Sequence, residues 1–255
     1  MTNKDCNIIL PPSLYKYREP DIGKLEYILI QNELWSAKPS TFNDPFDCLP
    51  HVDLAGTYEE AKSFIDRRIA RLDISLTRAK RRQLARQIEK EGLGSLDPAE
   101  GQGAWRQAID QFGIISFSED CTNILMWSHY AKNHTGVCLE FGTELAPTNL
   151  VAPVLYQENR PTFRPLDPDR TNLAERLLLK KASIWSYERE WRHIRIAEGN
   201  GRTSFPPSVL KTIILGAAAT DSFEADVRKL LARRSSRIPI RRVRFDAKEF
   251  RLHIE

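Results

Sequence analysis

The sequence lacks the features that would place it in a membrane or in an oxidising compartment. Its 255 residues have a mean hydropathy of −0.44 and hold no apolar run close to the roughly 20 residues of a spanning helix. The first residues contain no secretory hydrophobic segment. The four cysteines (Cys6, Cys48, Cys121 and Cys138) are far apart and form no CxxC pair, so no zinc site of the usual spacing is predicted. We therefore expect a cytoplasmic protein with reduced thiols and no membrane partner.

The commonest catalytic signatures are also missing. The chain contains no P-loop, no GxGxxG, no HExxH and no GxSxG motif. The usual sequence signatures of nucleotide phosphate binding, dinucleotide binding, zinc proteases and serine hydrolases are therefore absent. Any chemistry must therefore be sought in less general clusters of polar and aromatic residues.

The composition is that of a globular protein with unevenly distributed positive charge. Hydrophobic residues make up 41% and charged residues 28% of the chain, which is enough for a substantial core. The formal net charge is only +4, but basic residues are dense at 67–68, at 78–82 and in the tail at 228–242. Such surfaces are most often simply solvated, but they also suit a phosphate-bearing partner or substrate.

Hydrophobic periodicity predicts many short strands with helices between some of them. The predicted strands cover residues 13–18, 33–37, 113–118, 136–141, 151–156, 188–190, 209–215, 238–245 and 249–254. The predicted helices cover 25–32, 57–92 with a break near 73–75, 104–111, 123–132, 173–183 and 222–233. There is no regular βαβ rhythm and no repeat. We predict one α+β domain over residues 1–255, with a single sheet core and a mostly helical insertion at about residues 57–110.

Two polar-aromatic clusters lie in the first fifth of the chain. Tyr15 and Tyr17 share one face of a strand beside Arg18, an arrangement that can stack a planar ring and hold a phosphate. Ordinary aromatic packing explains this cluster about as well. The second cluster, residues 43–47, has the sequence NDPFD and is typical of an ordered turn. In a functional interpretation, Asn43 or Asp44 would reach into a site from this rigid loop.

A third cluster combines serine, histidine and aromatic residues. Ser116 and Ser118 share one strand face, and a stretch of eight residues that follows contains Trp127, His129, Tyr130 and His134. Two histidines that share a metal ion from one helix face normally sit four residues apart. Since His129 and His134 are five apart, no metal site is predicted, and a structural histidine is the simpler interpretation of either one.

The fourth cluster is a pair of glutamates flanked by arginine and tryptophan. On a strand, Glu188 and Glu190 would point to the same face and repel each other. One interpretation is an exposed edge strand whose Glu and Arg side chains pair with a neighbouring strand. The other is a carboxylate pair at the floor of a cleft. The pattern alone favours neither.

Taken together, these motifs resemble a bacterial domain-of-unknown-function family, number 2971. The resemblance covers about residues 14–216, and the name of the family supplies no activity. It is carried by six motifs: LYKYR at 14–18, LWS at 34–36, FNDPFD at 42–47, MWSHYA at 126–131, HTGVC at 134–138 and YEREWR at 187–192.

The order of the clusters also resembles the ADP-ribosyltransferase superfamily, whose members bind NAD in a cleft between two small sheets. Their three marker strands carry first an Arg or His, then a Ser-x-Ser or Tyr element, and last a catalytic Glu, often as Glu-x-Glu. Here Arg18 or Tyr17 would be the first element, Ser116 to Ser118 the second and Glu188 to Glu190 the third. The chain departs from the pattern because residue 117 is Phe rather than Thr and the first strand has no His.

The resemblance implies an ADP-ribosyltransferase-like split β-sheet and an enzyme that uses NAD as substrate without a metal, either a transferase or an NAD glycohydrolase. Glu190 would be the catalytic carboxylate and Glu188 would orient or deprotonate the acceptor. Arg18 would hold the diphosphate, a serine of the second element would position the ribose, and Tyr130 or Trp127 would stack on nicotinamide. The full set of implied NAD-binding residues is Tyr15, Tyr17, Arg18, Asn43, Asp44, Ser116, Ser118, Trp127, His129 and Tyr130.

Two other functions remain open. One is a metal-dependent nuclease or phosphoesterase, with His129 as base and a group of carboxylates around magnesium: Asp44, Asp47, Glu188 and Glu190. The other is a non-enzymatic module whose basic helices dock nucleic acid or a protein. For the NAD-cleaving enzyme, the acceptor would be a protein, a nucleic acid, a small molecule or water. A toxin or antiphage effector is a further hypothesis for such an enzyme.

Overall fold

The computed structural model describes residues 9–72, 75–95, 102–169, 173–196 and 199–255. The chain divides into two compact units. Unit 1 is formed by the described parts of residues 1–37, 113–154 and 184–255, and unit 2 by those of residues 38–112 and 155–183. The sequence predicts a single domain with an insertion at 57–110. Unit 2 is larger than this predicted insertion. It begins at residue 38, and it also includes residues 155–183, which follow a segment of unit 1.

The described residues form fourteen strands and seven α-helices. The strands are β1 Ser13–Arg18, β2 Glu33–Ser36, β3 His51–Val52, β4 Gly113–Ser118, β5 Val137–Gly142, β6 Ala152–Pro153, β7 Leu155–Gln157, β8 Thr162–Phe163, β9 Lys180–Ala182, β10 Glu190–Arg195, β11 Gly201–Ser204, β12 Leu210–Leu215, β13 Ile240–Phe245 and β14 Leu252–Ile254. The helices are α1 Ile22–Leu29, α2 Tyr58–Leu72, α3 Arg78–Glu91, α4 Gln102–Ile109, α5 Ile124–Tyr130, α6 Leu173–Leu178 and α7 Asp221–Leu231.

An eight-stranded mixed sheet is the framework of unit 1. Its strands lie in the order β14-β13-β12-β5-β1-β4-β10-β6. Neighbours are antiparallel except β12 and β13, which are parallel. A separate two-stranded antiparallel sheet pairs β2 with β11. The predicted α+β class with a sheet core is therefore confirmed.

Apolar side chains cover both faces of this sheet. On β5, Leu139 joins the core cluster that contains the buried residues of α1 and α7, whereas Cys138 joins the cluster that contains Met126 and Trp127 of α5. Ile213 and Ile214 of β12 divide between the two clusters in the same way. Successive strand residues point to opposite faces, so continuous apolar runs in β5 and β12 produce a sheet buried on both sides.

The helices of unit 1 begin at capping side chains that the sequence provides. The carboxylate of Asp21 accepts a hydrogen bond from the backbone N of Lys24 at the start of α1, and the amide oxygen of Asn123 accepts one from Met126 at the start of α5. These contacts satisfy backbone donors that have no partner within the first turn. The cap explains why α1 begins at Ile22, three residues before the predicted start.

Unit 2 is built on the helix pair α2 and α3. Ala61 and Ile65 of α2 pack with Ala85 and Ile88 of α3 in one buried cluster. Helix α2 ends at Leu72 and helix α3 begins at Arg78. Part of the predicted break, residues 73–74, lies outside the described residues. Two short parallel ladders, β3 with β8 and β7 with β9, complete the unit.

Two predicted elements differ from the structure because tertiary pairing overrides local pattern. The predicted helix at 173–183 ends at Leu178, since residues 180–182 form β9 and pair with β7. The predicted strand at 151–156 is divided into β6, which pairs with β10, and β7, which pairs with β9. None of the described helices combines the length and apolar composition that crossing a membrane requires.

Candidate functional site

Unit 1 contains a cavity of about 610 Å³, which lies within the usual size range of small-molecule sites, about 300–1,000 Å³. Its walls are aromatic and charged. The lining residues are Tyr17, Arg18, Glu19, Lys24, Tyr27, Ile28, Glu33, Leu34, Trp35, His129, Tyr130 and Arg202. Four of them, Tyr17, Arg18, His129 and Tyr130, belong to the set implied by the sequence, so the structure brings these four to one cavity.

Arg18 supplies a guanidinium that the described part of the chain leaves without a partner. It is the last residue of β1 and is half-buried, and it forms no ion pair or side-chain hydrogen bond with any described residue. Burial lowers its pKa to about 10, against a small raising effect of Glu19, so the group is charged at neutral pH. A desolvated, unpaired guanidinium is complementary to a phosphate or carboxylate, which it binds through two parallel hydrogen bonds.

The backbone of Arg18 is fixed by a close approach of Gly136. Arg18 pairs with Val137 on β5, and a Cβ atom at position 136 would lie 2.1 Å from the carbonyl oxygen of Arg18. Only glycine therefore permits this contact. The HTGVC motif thus has a structural role in placing the arginine.

A second part of the cavity wall offers flat rings. The guanidinium of Arg202 lies 3.7 Å from the centroid of the Tyr27 ring and is 3.3 Å from the carboxylate of Glu33. Arg202 is opposite Trp35 in the β2–β11 ladder, and Trp35 is 53% exposed. Stacked Arg, Tyr and exposed Trp side chains are surfaces on which a planar base can lie.

Sequence reasoning missed this aromatic wall. Trp35 occurs in a predicted strand and in the LWS motif, but the sequence patterns give no ligand-binding role to Trp35, Tyr27 or Arg202. The available signal was the alternation of β2, in which an exposed Trp lies between buried Leu34 and Ser36. A large apolar ring on the solvent side of a strand points to a contact surface rather than to a core.

Helix α5 connects the cavity to the segment that carries the glutamates. The hydroxyl of Tyr130 donates a hydrogen bond of 2.6 Å to Oε1 of Glu188. Nδ1 of His129 is 3.0 Å from the hydroxyl of Tyr187, and the ring of Trp185 lies close to both His129 and Tyr187. Residues 129 and 130 therefore line the cavity and also hold the loop from Trp185 to Glu188.

The expectation that Glu188 and Glu190 share one strand face is wrong. Glu188 ends a 3₁₀ helix, Ser183–Glu188, and Glu190 begins β10. Arg189 between them has φ of 46°, in the left-handed region. The alternation of side chains by two holds only in extended backbone, so it does not apply across the left-handed Arg189.

Glu190 is held in a buried ion pair within its own strand. Nε of Arg192 is 2.8 Å from Oε1 of Glu190, and Nη2 of Arg192 is 2.9 Å from Oε2. The Glu190 side chain is 4% exposed and that of Arg192 is fully buried. Neither residue lines the cavity, and Glu188, which is also buried, does not line it either. The sequence resemblance implies Glu190 as the catalytic carboxylate.

Glu119 anchors the turn between the two glutamates. Its carboxylate accepts hydrogen bonds of 2.6 Å from Arg189 and from the indole of Trp191. Its backbone N also donates to the carbonyl of Arg189 at 3.2 Å. The end of β4 therefore determines where Glu188 leaves the sheet.

Several predicted ligand residues have structural partners instead. The hydroxyl of Ser118, which is buried, donates to the carbonyl of Glu188 at 2.7 Å. Trp127 is 0% exposed, and its indole donates to the carbonyl of Cys121 at 2.8 Å. A ligand cannot stack on a ring that has no exposed surface, so Trp127 supports the cavity wall by packing against Tyr17, 5.2 Å away. Tyr15 packs at the edge of this same cluster.

Ser116 also lies away from the cavity lining. Its carbonyl accepts a hydrogen bond of 2.5 Å from Nζ of Lys16. Lys16 is buried, its pKa is lowered by desolvation, and its ammonium lies 5.4 Å from the centre of the Phe117 ring. The second element of the proposed signature thus contributes to the sheet rather than to the cavity lining.

Asn43 and Asp44 belong to unit 2. Oδ1 of Asp44 accepts from the backbone N of Phe46 at 2.9 Å, so the structural interpretation of this motif as an ordered turn is confirmed. Asp47, three residues later, forms a buried ion pair of 3.5 Å with Lys181. Among the described residues, no group of three or more His, Cys, Asp or Glu side chains is placed to hold a metal ion, so the magnesium-dependent alternative rests on the sequence alone.

His134, the other histidine of the third cluster, has a structural position. It is buried, its Nε2 lies 3.4 Å from the hydroxyl of Ser128, and its ring is nearly parallel to that of Trp127. Its Nδ1 has no hydrogen-bond partner among the described residues. Burial lowers the pKa of His134, which makes the protonated form unfavourable in the folded state.

We therefore expect the stability of the protein to fall as the pH is lowered. The contribution of a neutral His134 is fully present above its unfolded-state pKa of about 6.5 and is lost as the pH falls toward the lower folded-state value. The measurement is urea denaturation between about pH 8 and pH 5, in wild type and His134→Asn. Asparagine tolerates the positive φ of 66° at this position. Identical pH dependence in the two proteins would contradict the prediction.

Residues 126–193 match the model of a family described as "Protein of unknown function (DUF2971)". The matched segment begins in α5 and includes Tyr130, Glu188 and most of β10. The resemblance to this family is therefore supported over the segment that holds the Tyr130–Glu188 contact. No curated protein and no solved structure matches the chain.

Proposed function

We propose that this protein binds NAD in the cavity of unit 1 and cleaves its nicotinamide–ribose bond. One observation carries the proposal: the half-buried guanidinium of Arg18, which has no partner among the described residues, lies in an aromatic cavity whose wall residue Tyr130 contacts the buried carboxylate of Glu188. NAD combines an anionic diphosphate, flat rings and a glycosidic bond whose cleavage develops positive charge. Arg18 and the aromatic wall suit the diphosphate and the rings, and the carboxylate of Glu188, which is hydrogen-bonded to the lining residue Tyr130, is the group we assign to the bond.

In this proposal, Arg18 binds the diphosphate, because a charged guanidinium pairs with two phosphate oxygens at once. Trp35 and Tyr27, with Arg202 stacked on the latter, provide the surface on which a base of the dinucleotide lies. Tyr130 orients Glu188 through its hydroxyl. These roles use side chains from β1, α1, β2, α5 and β11, which meet at the cavity.

Glu188, rather than Glu190, is the carboxylate that we assign to the reaction. Cleavage of a glycosidic bond passes through a state with oxocarbenium character, which a nearby carboxylate stabilises. The bonding electrons leave with nicotinamide, and an acceptor oxygen bonds to the ribose carbon and loses its proton. Glu188 is connected to a cavity residue, whereas both oxygens of Glu190 bind Arg192.

The sheet supports the resemblance to ADP-ribosyltransferases. The adjacent strands β1 and β4 pair at a single position, Tyr15 with Ser118, although β1 pairs with β5 at six positions. Beyond this single pair, the side chain of Lys16 on β1 donates a hydrogen bond to the carbonyl of Ser116 on β4. A local opening between these two strands is consistent with the split sheet that the resemblance implies.

The test is NAD binding and nicotinamide release by the purified protein, with and without a chelator. Arg18→Gln is expected to raise the Kd for NAD by about 10-fold to 100-fold, since a hydrogen-bonded charge contributes about 1.5–3 kcal/mol. Titration calorimetry measures the affinity, and chromatography measures released nicotinamide.

Arg228→Gln is the matched control, because it removes an exposed arginine of unit 1 that pairs with Glu224. This variant should bind NAD as the wild type does. The proposal fails if wild type neither binds NAD nor releases nicotinamide. It also fails if Arg18→Gln and Arg228→Gln bind equally well, or if release stops when the chelator is added.

A further inference from the structure

We propose that the exposed face of α3 is a docking surface for the phosphate backbone of duplex nucleic acid. The helix belongs to unit 2, and the proposal does not depend on NAD chemistry. Over its fourteen residues, α3 carries six basic and two acidic side chains. The placement of the basic residues along one side distinguishes it from an ordinary solvated helix.

Four basic residues form a row along one side of α3. Arg78, Arg82, Arg86 and Lys90 follow each other at intervals of four residues, and all four are exposed. Residues four apart lie on the same face of a helix. The buried side of α3 packs on α2 through Ala85 and Ile88. No described residue forms an ion pair with any member of this row, which we call the basic row.

The basic row opposes the stability of the helix that carries it. Like charges four residues apart repel, and positive side chains in the first turn oppose the helix dipole. The first turn of α3 contains no acidic residue. In α7 the arrangement is the reverse, since Asp221 and Glu224 lie in the first turn and Arg228 pairs with Glu224. Anionic groups bound along α3 would remove the repulsion.

The spacing of the basic row and the composition of α3 indicate which kind of polyanion suits this surface. Four residues of helix rise by about 6 Å, so the row extends over about 18 Å, or about five nucleotides of one strand at about 3.4 Å each. The helix contains no aromatic residue, and single-strand binders rely on aromatic rings for base stacking. Guanidinium contacts to a duplex backbone, without sequence preference, therefore suit this surface.

The experiment measures binding of the full chain to a labelled duplex of about 20 base pairs by fluorescence anisotropy, from about 50 to 200 mM salt. We expect the logarithm of the association constant to fall linearly with the logarithm of the salt concentration. The triple variant Arg78→Gln/Arg82→Gln/Arg86→Gln is expected to bind at least about tenfold more weakly. Its salt slope should be smaller by about 2 to 3, since each lost phosphate contact removes about 0.9.

The control variant loses the same number of positive charges at basic residues that form ion pairs. It is Arg228→Gln/Lys229→Gln/Arg233→Gln, and the acidic partners of these residues are Glu224, Asp226 and Glu26. This protein should keep the wild-type affinity and slope. The proposal is overturned if the wild type does not bind duplex, if both triple variants weaken equally, or if the single strand of the same sequence binds more tightly. Binding to anionic lipid vesicles without binding to duplex overturns it as well.

The melting temperature separates docking from a structural role. Because the row is repulsive, the α3 triple variant should melt at the wild-type temperature or above it. If this variant melts lower, the single change Arg82→Gln replaces it, with an expected slope change of about 1. An unchanged slope in the folded single variant overturns the proposal.

Discussion

Replacing Arg192 by methionine is expected to lower the free energy of unfolding by about 3–5 kcal/mol. The side chain of Arg192 is fully buried and binds both carboxylate oxygens of Glu190, at 2.8 and 2.9 Å. Methionine has a similar apolar stem but cannot pair with a carboxylate. The variant therefore removes the bidentate partner of a buried carboxylate, which keeps its electrostatic interaction with the buried Lys16. Urea denaturation followed by circular dichroism measures the loss.

Two further variants separate the buried charge from other effects. In Glu190→Gln/Arg192→Met neither member of the pair is charged, so most of the lost stability should return. Arg189→Met changes a nearby arginine that forms an ion pair with Glu119. The side chain of Arg189 is 58% exposed. The cost of this change should be within about 1 kcal/mol. If Arg192→Met and Arg189→Met lose equal stability, the buried pair is not an important contribution.

Replacing Glu188 by glutamine is expected to reduce nicotinamide release by about 10²-fold to 10³-fold, the usual cost of removing one preorganised stabilising group. Glutamine keeps the size of the side chain and can still accept the hydrogen bond of Tyr130 through its amide oxygen. The negative charge that opposes the developing positive charge is lost. The comparison is made at saturating NAD, so that binding does not limit the rate.

The controls for this prediction are two other carboxylates of unit 1. Glu144→Gln alters an exposed side chain that pairs with Lys211, and its rate should equal that of the wild type. Glu190→Gln should unfold more readily but retain turnover well below its melting temperature. If Glu190→Gln is inactive while folded and Glu188→Gln is active, the assignment from sequence resemblance is right and the one from geometry is wrong.

The main elements of the fold follow from local patterns. Alternating or continuous apolar runs predict β1, β4, β5 and β12, and apolar residues at helical spacing predict α7. The structure adds the cap of α7, where the hydroxyl of Thr220 accepts from the backbone N of Phe223. These features depend on neighbours within a few residues, which a sequence displays directly. The boundary near Leu178 could not be predicted in this way, because β9 exists only through its pairing with β7.

The candidate site was predicted in part for the same reason. Tyr17, Arg18, His129 and Tyr130 occur in motifs dense enough to draw attention. Trp35 and Arg202 are brought together by the register of β2 and β11, strands that are separated by more than 160 residues. No local pattern specifies such a register, so the aromatic wall of the cavity was missed.

The sequence by itself determined the α+β composition, the main helices and strands, and the presence of an unusual pair of glutamates. Only the tertiary structure decided what that pair does. A left-handed Arg189 interrupts the extended backbone between them. Glu190 binds Arg192 inside the sheet, and Glu188 accepts a hydrogen bond from Tyr130, 58 positions earlier in the chain. The physical reason is that burial and pairing of a carboxylate depend on contacts between distant segments, which strand pairing creates and which no spacing within one motif contains.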